Sequence, residues 1–213
     1  MRISPTIALA LLAACLSADA AGPQVWNSSE FTFYETGWFR ADLLGVVRSR
    51  NHLTDAFDNR LGAQVVFPVG SRLGIGGGYL KRWVDPEGRG THAEDRVFLA
   101  PRLLLAYRPI KIESLTLCER NFSVPGLPDF NRYRETIDVE KVRHGASPFF
   151  AEQVAFRDYG LAWTRTAVGL RWRLHSGFRF EAGYQFESQK IAGAWVPRHA
   201  IRTAVGFRKP RPN

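Results

Sequence analysis

Apolar and polar residues alternate with a period of two along most of the chain after residue 20. Residues 178–187 show this best, because phenylalanine, alanine and tyrosine alternate there with arginine, glutamate, glycine and glutamine. Residues 164–174 repeat the pattern with an arginine-rich face. Successive side chains of a β-strand point to opposite faces of a sheet, so the pattern predicts strands with one apolar and one polar face.

The strand segments are long for a globular protein. Strands of globular proteins average about five to six residues, whereas a tilted strand that crosses a membrane needs about nine to eleven. We therefore predict an all-β fold, namely an antiparallel up-and-down transmembrane β-barrel. The predicted strands cover residues 24–35, 38–49, 57–69, 72–84, 95–108, 110–122, 130–142, 147–156, 161–174, 177–189 and 198–208.

Connections between the predicted strands alternate between short and longer: 36–37, 49–56, 70–71, 84–94, 108–109, 123–129, 175–177 and 190–197. Outer-membrane barrels have short periplasmic turns, longer external loops and an even number of strands. Residues 38–208 then form a barrel of about ten strands, with twelve as the alternative. Residues 21–37 are either a lead-in or a strand that pairs at the seam, and residues 209–213 form a basic tail.

The first 20 residues have the features of a secretory signal peptide. A short basic start is followed by an apolar run at residues 3–14, and Ala18 and Ala20 fit the small-residue cleavage rule. Export of this kind, combined with a barrel, predicts the cell outer membrane. An alternative is that residues 12–15 form a lipobox, which would leave a lipidated Cys15 at the mature N-terminus.

The alternation by itself fits two architectures. A soluble sandwich turns its apolar faces inward, whereas a lipid-embedded barrel turns them outward and lines its lumen with charge. Strand length, tryptophan and tyrosine near strand ends, and arginine at mid-strand favour the barrel. The predicted girdle comprises Trp38, Trp83, Tyr107, Trp163, Trp172, Tyr184 and Trp195. The predicted lumen comprises Arg40, Asp42, Arg48, Arg60, Gln64, Arg102, Arg132, Arg134, Asp138, Glu140, Glu152, Arg165, Arg171, Arg173, Arg179, Glu181, Gln185, Glu187 and Arg202.

Charges in such a lumen must pair with one another or contact water. A small barrel can fill its interior with side chains, so we predict a lumen mostly plugged by arginine–carboxylate pairs. The alternative is a narrow pore or cavity that prefers anions, because arginine outnumbers the carboxylates on this face.

Residues 118–121, 131–135 and 147–152, followed by Arg165 and residues 183–185, resemble a bacterial family called domain of unknown function 2490. Its members are predicted outer-membrane barrels without an established activity. The resemblance implies a charged lumen at Glu119, Arg120, Arg132, Arg134, Glu152 and Arg165, and it places Cys118 where a lumen residue is expected. Together with Arg171 and Glu181, these residues form the predicted polar network of the lumen.

The chain has 29 Lys and Arg against 20 Asp and Glu. The basic residues are spread over every strand rather than clustered, which argues against nucleic acid. At the rims they suit the phosphates of lipopolysaccharide. None of the five histidines has metal-ligand spacing with another histidine or cysteine, and His144–Ser147 and His175–Ser176 do not form a dyad on one strand face. We therefore expect no metal, no cofactor and no enzyme.

These observations predict a structural or binding role at the cell envelope, with a charged, mostly plugged lumen. A narrow anion-preferring channel is the alternative, and a lipid-modifying outer-membrane enzyme is a further one. The expected partners are outer-membrane lipid and lipopolysaccharide, with the barrel-assembly machinery and periplasmic chaperones during biogenesis.

Overall fold

The computed structural model describes residues 24–50, 55–85, 90–123, 128–158, 160–174 and 177–208. These residues form one closed β-barrel, which confirms the predicted all-β barrel fold. In the described ranges there is no helix long and apolar enough to cross a membrane. The strands are β1 (Gln24–Glu35), β2 (Arg40–Arg50), β3 (Asp55–Val69), β4 (Leu73–Val84), β5 (His92–Tyr107), β6 (Ile110–Phe122), β7 (Phe130–Lys141), β8 (Ala146–Arg157), β9 (Gly160–Arg173), β10 (Phe178–Ile191) and β11 (Ala194–Phe207).

The barrel has eleven strands, between the ten predicted and the twelve kept as an alternative. The extra strand is β1, the segment expected to be either a lead-in or a seam strand. It pairs antiparallel with β2 and parallel with β11, from Gln24 opposite Ala200 to Phe31 opposite Phe207. An up-and-down chain with an odd number of strands has its first and last strands running the same way, so the barrel can close only through a parallel ladder.

The two ends of the barrel differ in their connections. We call the end with the β1–β2, β3–β4, β5–β6, β7–β8 and β9–β10 connections the turn end, and the opposite end the loop end. The prediction of a long connection at residues 190–197 is wrong. Strands β10 and β11 continue to Ile191 and Ala194, and Ala192 and Gly193 have φ of 48° and 89°. Two adjacent residues with positive φ make the tight turn that matches the twist of a hairpin.

The charged face of the strands points into the barrel and the apolar face points out. Asp42, Asp58, Arg96 and Glu140 are fully buried inside, whereas leucine, valine and phenylalanine side chains cover the outside; Leu61, for example, is 59% exposed. The fold is thus a closed barrel with its charged face inside, and not a sandwich with its apolar faces turned inward. Polar side chains fill much of the interior, as they do in other barrels of small diameter.

Aromatic residues lie both at the rims and inside. Trp38, Tyr107 and Trp195 are exposed near strand ends, where a girdle was predicted. Trp163 does not belong to that girdle: it is only 3% exposed and faces the lumen with Trp26. The guanidinium group of Arg165 stacks on both indoles, which explains why an aromatic side chain is stable among charges.

Glycines make room for one large side chain inside the barrel. Gly169 and Gly183 lie opposite each other on β9 and β10, and a Cβ atom on Gly169 would collide with the backbone of β10 and with the Phe149 ring. Phe149 fills this space and carries the guanidinium of Arg171 4.3 Å above its ring centroid. The glycine pair therefore positions a central arginine of the lumen.

Candidate functional site

Arginine–carboxylate pairs close the lumen at the loop end. Asp58 on β3 is fully buried and binds arginines from three strands. Arg60 Nη2 lies 2.6 Å from Asp58 Oδ2, Arg82 Nε lies 2.8 Å from Oδ1, and Arg48 Nη1 lies 3.4 Å from Oδ2. Several charge-assisted bonds to one carboxylate offset its removal from water.

The same pairing continues around the wall through β4, β5, β6 and β7. Arg82 Nη1 donates to Glu94 Oε2 at 3.0 Å, and Arg96 Nη2 donates to the same oxygen at 2.7 Å. Arg132 donates to both oxygens of Glu119, at 2.5 and 2.8 Å. Two parallel N–H···O bonds of this kind fix the orientation of both partners.

On the far side of the lumen, Arg165 donates to Glu187, and Arg198 Nη1 lies 3.8 Å from the same carboxylate. Arg165 also stacks 3.7 Å from the centroid of Trp163. We call these pairs the loop-end cluster; its carboxylates are Asp58, Glu94, Glu119 and Glu187.

A second network, the turn-end cluster, is centred on Arg171. Its guanidinium donates to Asp138 at 2.7 and 2.8 Å, to Glu181 at 2.6 Å and to Glu140 at 3.2 Å. Arg173 also donates to Glu140, and Arg202 Nε lies 2.7 Å from Glu181 Oε1. One arginine thereby joins strands β7, β9 and β10 across the interior.

Between the two clusters lies a cavity of about 300 Å³ with a cationic wall. Glu30 is the one carboxylate among its lining residues in the described part of the chain. The Nε atoms of Arg48 and Arg134 are buried here and have no hydrogen-bond partner among the described residues. The arginines that line this cavity are Arg48, Arg60, Arg134, Arg165, Arg179 and Arg202.

The central cavity continues into a larger one, of about 580 Å³, at the turn end. Glu30, Gln153, Arg179 and Arg202 line both cavities, so the two are contiguous. Arg179 has no carboxylate of the described residues within ion-pair distance, and it interacts with Glu113 only at longer range, so its guanidinium group can donate to a ligand. The contiguous space therefore extends from the loop-end cluster to the turn end, where Phe178 and Phe207 line it, and cationic side chains outnumber carboxylates along it.

An ion pair joins the first strand to the end of the last at the turn end of the seam. Arg208, just after β11, donates to both oxygens of Glu35 at 2.8 and 2.5 Å. The hydrogen bond to this carboxylate raises the pKa of Arg208. Phe31 and Phe207 stack beside it with ring centroids 5.2 Å apart.

The structure brings six residues of the predicted network into the lumen. Glu119, Arg132, Arg134 and Arg165 lie in or beside the loop-end cluster, and Arg171 and Glu181 lie in the turn-end cluster.

Arg120 and Glu152 are not lumen residues, which corrects the prediction for both. Arg120 is exposed on the outer face and donates to Asn131 and Asp129. Glu152 also faces outward and accepts a hydrogen bond from Thr166 at 2.6 Å. Glu119 and Arg120 are adjacent on one strand, so their side chains point to opposite faces of the sheet. The prediction that both face the lumen therefore could not hold.

Other residues of the site follow from the same alternation. Asp58 lies two residues before Arg60 on one strand, and Glu94 lies two residues before Arg96 on another, so each shares the inward face of its neighbour. Extending each alternating segment by one inward-facing position toward its N-terminus would have identified both carboxylates. Cys118, expected in the lumen, is exposed on the outer face.

The residues considered as catalytic candidates either lie apart from this pocket or fall outside the described residues. Ser147 Oγ is buried and bonded to the backbone of Arg143, while His175 and Ser176 lie outside the described residues. Across the described ranges, no group of three or more His, Cys, Asp and Glu side chains is arranged to hold a metal ion.

Comparison with known proteins adds no relative to this picture. No family model matches the chain, and no curated protein and no solved structure matches it either. The resemblance to domain of unknown function 2490 stays a prediction.

Proposed function

We propose that this chain is an integral outer-membrane β-barrel that binds an anionic ligand in its lumen from the turn end. The observation that carries the proposal is the arginine-lined cavity between the two clusters. The predicted secretory signal and the long strands support export and membrane insertion.

The outer surface supports the membrane part of the proposal. Exposed apolar side chains cover β2–β5 from one end to the other, with Leu43, Leu61, Phe67, Ile75 and Leu99 each more than 40% exposed. An apolar band of this extent on the outside of a closed barrel suits hydrocarbon rather than water.

The lumen supports the binding part. Six arginines surround the central cavity, and Arg179 is not engaged in any described ion pair. Guanidinium groups bind phosphate and carboxylate through paired N–H donors, so several of them around one small cavity select for an anion. The ion pairs of the loop-end cluster lie at the far end of this space, which favours a binding pocket over a passage.

Membrane insertion is tested by running outer-membrane fractions on denaturing gels with and without boiling. A closed barrel resists the detergent at room temperature and shifts in mobility when it is heated. Recovery of the chain in the periplasm without such a shift would contradict the proposal.

Ligand binding is tested by calorimetric titration of the heat-modifiable barrel in detergent with inorganic pyrophosphate. We expect binding that falls by about tenfold or more in Arg179→Gln, the loss of one charge-assisted contact. Arg120→Gln removes an arginine from the outer face and should leave the affinity unchanged. Equal pyrophosphate affinity in the wild type and in Arg179→Gln would show that the lumen is not the binding site.

An anion-preferring channel is the second candidate, because the two cavities form one contiguous cationic space. Conduction would require the loop-end cluster to open. In planar bilayers, a channel would show anion-selective conductance that changes when Arg132 or Arg165 is replaced by glutamate. A barrel that conducts no current in the bilayer but still binds pyrophosphate would favour the binding pocket over the channel.

A further inference from the structure

Strands β6–β9 carry a polar patch on the outer face, at half the height of the barrel. Its acceptors are the carboxyl groups of Glu135 and Glu152, in the middle of β7 and β8. Ser114 Oγ donates to Glu135 at 2.6 Å, and Thr116 Oγ1 donates to it at 2.5 Å. We call these residues, with Tyr133 and Thr166, the outer polar patch.

The patch is surrounded by apolar side chains that face the same way. Ile137, beside Glu152 in the β7–β8 register, is 49% exposed, and Phe150 and Val168 are 44% and 39% exposed. If the barrel spans a membrane, as proposed above, Glu135 and Glu152 lie opposite the hydrocarbon core. Ionisable side chains at that depth are costly and normally contact protein rather than lipid.

The hydrogen bonds of the patch are made by hydroxyl groups rather than by cations. No arginine or lysine of the described ranges lies within ion-pair distance of Glu135 or Glu152. Tyr133 Oη is a further donor to Glu135, at 3.2 Å, and Thr166 Oγ1 donates to Glu152 at 2.6 Å. A carboxylate has about four lone-pair sites, so each carboxyl group of the patch can accept further hydrogen bonds from a partner.

We propose that the outer polar patch is the contact surface of a symmetric dimer formed with a second copy of this chain. A two-fold axis through this face brings the two patches together, so the carboxyl and hydroxyl groups of each copy are covered by those of the other rather than by hydrocarbon. A second barrel also presents these groups at the same depth in the membrane, which a water-soluble partner does not.

The shape of the wall supports the same surface. A groove of about 450 Å³ continues from the patch toward the loop end, and it is lined by Cys118, Arg120, Asn131, Tyr133 and Phe156 among others. Cys118 is exposed there. The outer face of β2–β5 has no comparable carboxyl group at half height; its Asp95 lies toward the loop end, next to Lys81.

The test is sedimentation equilibrium of the heat-modifiable barrel in density-matched detergent. We expect a reversible dimer for the wild type and at least about a tenfold lower association constant for the variant Glu135→Leu with Glu152→Leu. The matched control is Asp95→Leu, which removes an outer-face carboxyl group away from the patch and should dimerise like the wild type.

The reactivity of the native Cys118 thiol is an independent measure of whether this face is covered. Reaction of Cys118 with N-ethylmaleimide, followed by peptide mass, should be slow in the dimer and faster in the double variant. A wild-type barrel that stays monomeric, or a double variant that dimerises as well as wild type, would overturn the inference. Protection of Cys118 in native membranes but not in the purified barrel would assign the patch to a different protein.

The outcomes separate this inference from the proposed function. A wild-type chain without a heat-dependent shift would overturn the membrane barrel and the dimer together. A monomer that keeps the heat shift and binds pyrophosphate would overturn the dimer alone.

Discussion

The two faces of the β6–β7 hairpin hold carboxyl groups in opposite ways. Inside, Glu119 is bound by the guanidinium groups of Arg132 and Arg134 and is almost fully buried. Outside, Glu135 is bound by hydroxyl groups. An arginine partner adds an opposite charge to its hydrogen bonds, whereas a hydroxyl partner contributes a neutral hydrogen bond.

This difference separates the groups that hold the barrel together from those that are available to other molecules. Removing Glu119 leaves buried arginines without a compensating charge, so the free energy of unfolding of the barrel falls. Removing Glu135 leaves only small hydroxyl groups, which can turn to nearby acceptors. The predictions below measure that contrast by guanidinium unfolding of the lipid-reconstituted barrel, followed by tryptophan fluorescence.

The largest effect is expected for Glu119→Leu. The free energy of unfolding should fall by about 3–5 kcal/mol, because Arg132 and Arg134 stay buried without their carboxylate. Removing the main partner as well, in Glu119→Leu with Arg132→Met, should restore a large part of this loss. A single variant with the stability of wild type would show that the loop-end cluster does not hold the wall.

The next effect tests whether the outer face of β2–β5 contacts hydrocarbon. Leu99→Arg, at half height on β5, should lower the free energy of unfolding by about 2–4 kcal/mol. The same residue introduced near the loop end, in Asn59→Arg, should cost no more than about 1 kcal/mol, since the penalty falls toward the interface. Equal costs at the two positions would argue against a membrane around this face.

A smaller effect is expected on the outer side of the hairpin. Glu135→Leu should change the free energy of unfolding of the monomeric barrel by no more than about 1 kcal/mol, the net contribution of ordinary hydrogen bonds. The measurement is made at a protein concentration below that of any dimer. A loss as large as that of Glu119→Leu would abolish the contrast between the two faces.

The smallest effect is expected at the seam. Arg208→Ala removes an ion pair with Glu35 in which the arginine side chain is 52% exposed and the glutamate side chain 14% exposed. Exposed pairs contribute little, so the stability should fall by at most about 1 kcal/mol, and by less in high salt. A larger and salt-insensitive loss would mean that closure of β1 on β11 depends on this pair.

Sequence patterns located all eleven strands, because the period of two is a local property of each segment. They also identified most of the lumen, since Arg132, Arg165, Arg171 and Glu181 each lie on the charged side of a clear alternation. The failures lie where neighbouring residues have the same character. Glu119 with Arg120, and Phe149 with Phe150, give no local reason to prefer one face, so the partners across the strands decided it.

Residue order by itself therefore determined the strands, their length and the presence of one apolar and one charged face. Only the tertiary structure decided which face is inside, that β1 closes the barrel in parallel with β11, and that Glu135 and Glu152 lie outside. The closing ladder joins residues that are far apart in the chain, such as Asn27 and Thr203, which hydrogen-bond across 176 positions. The register between distant strands is set by the whole closed sheet, so no local pattern contains it.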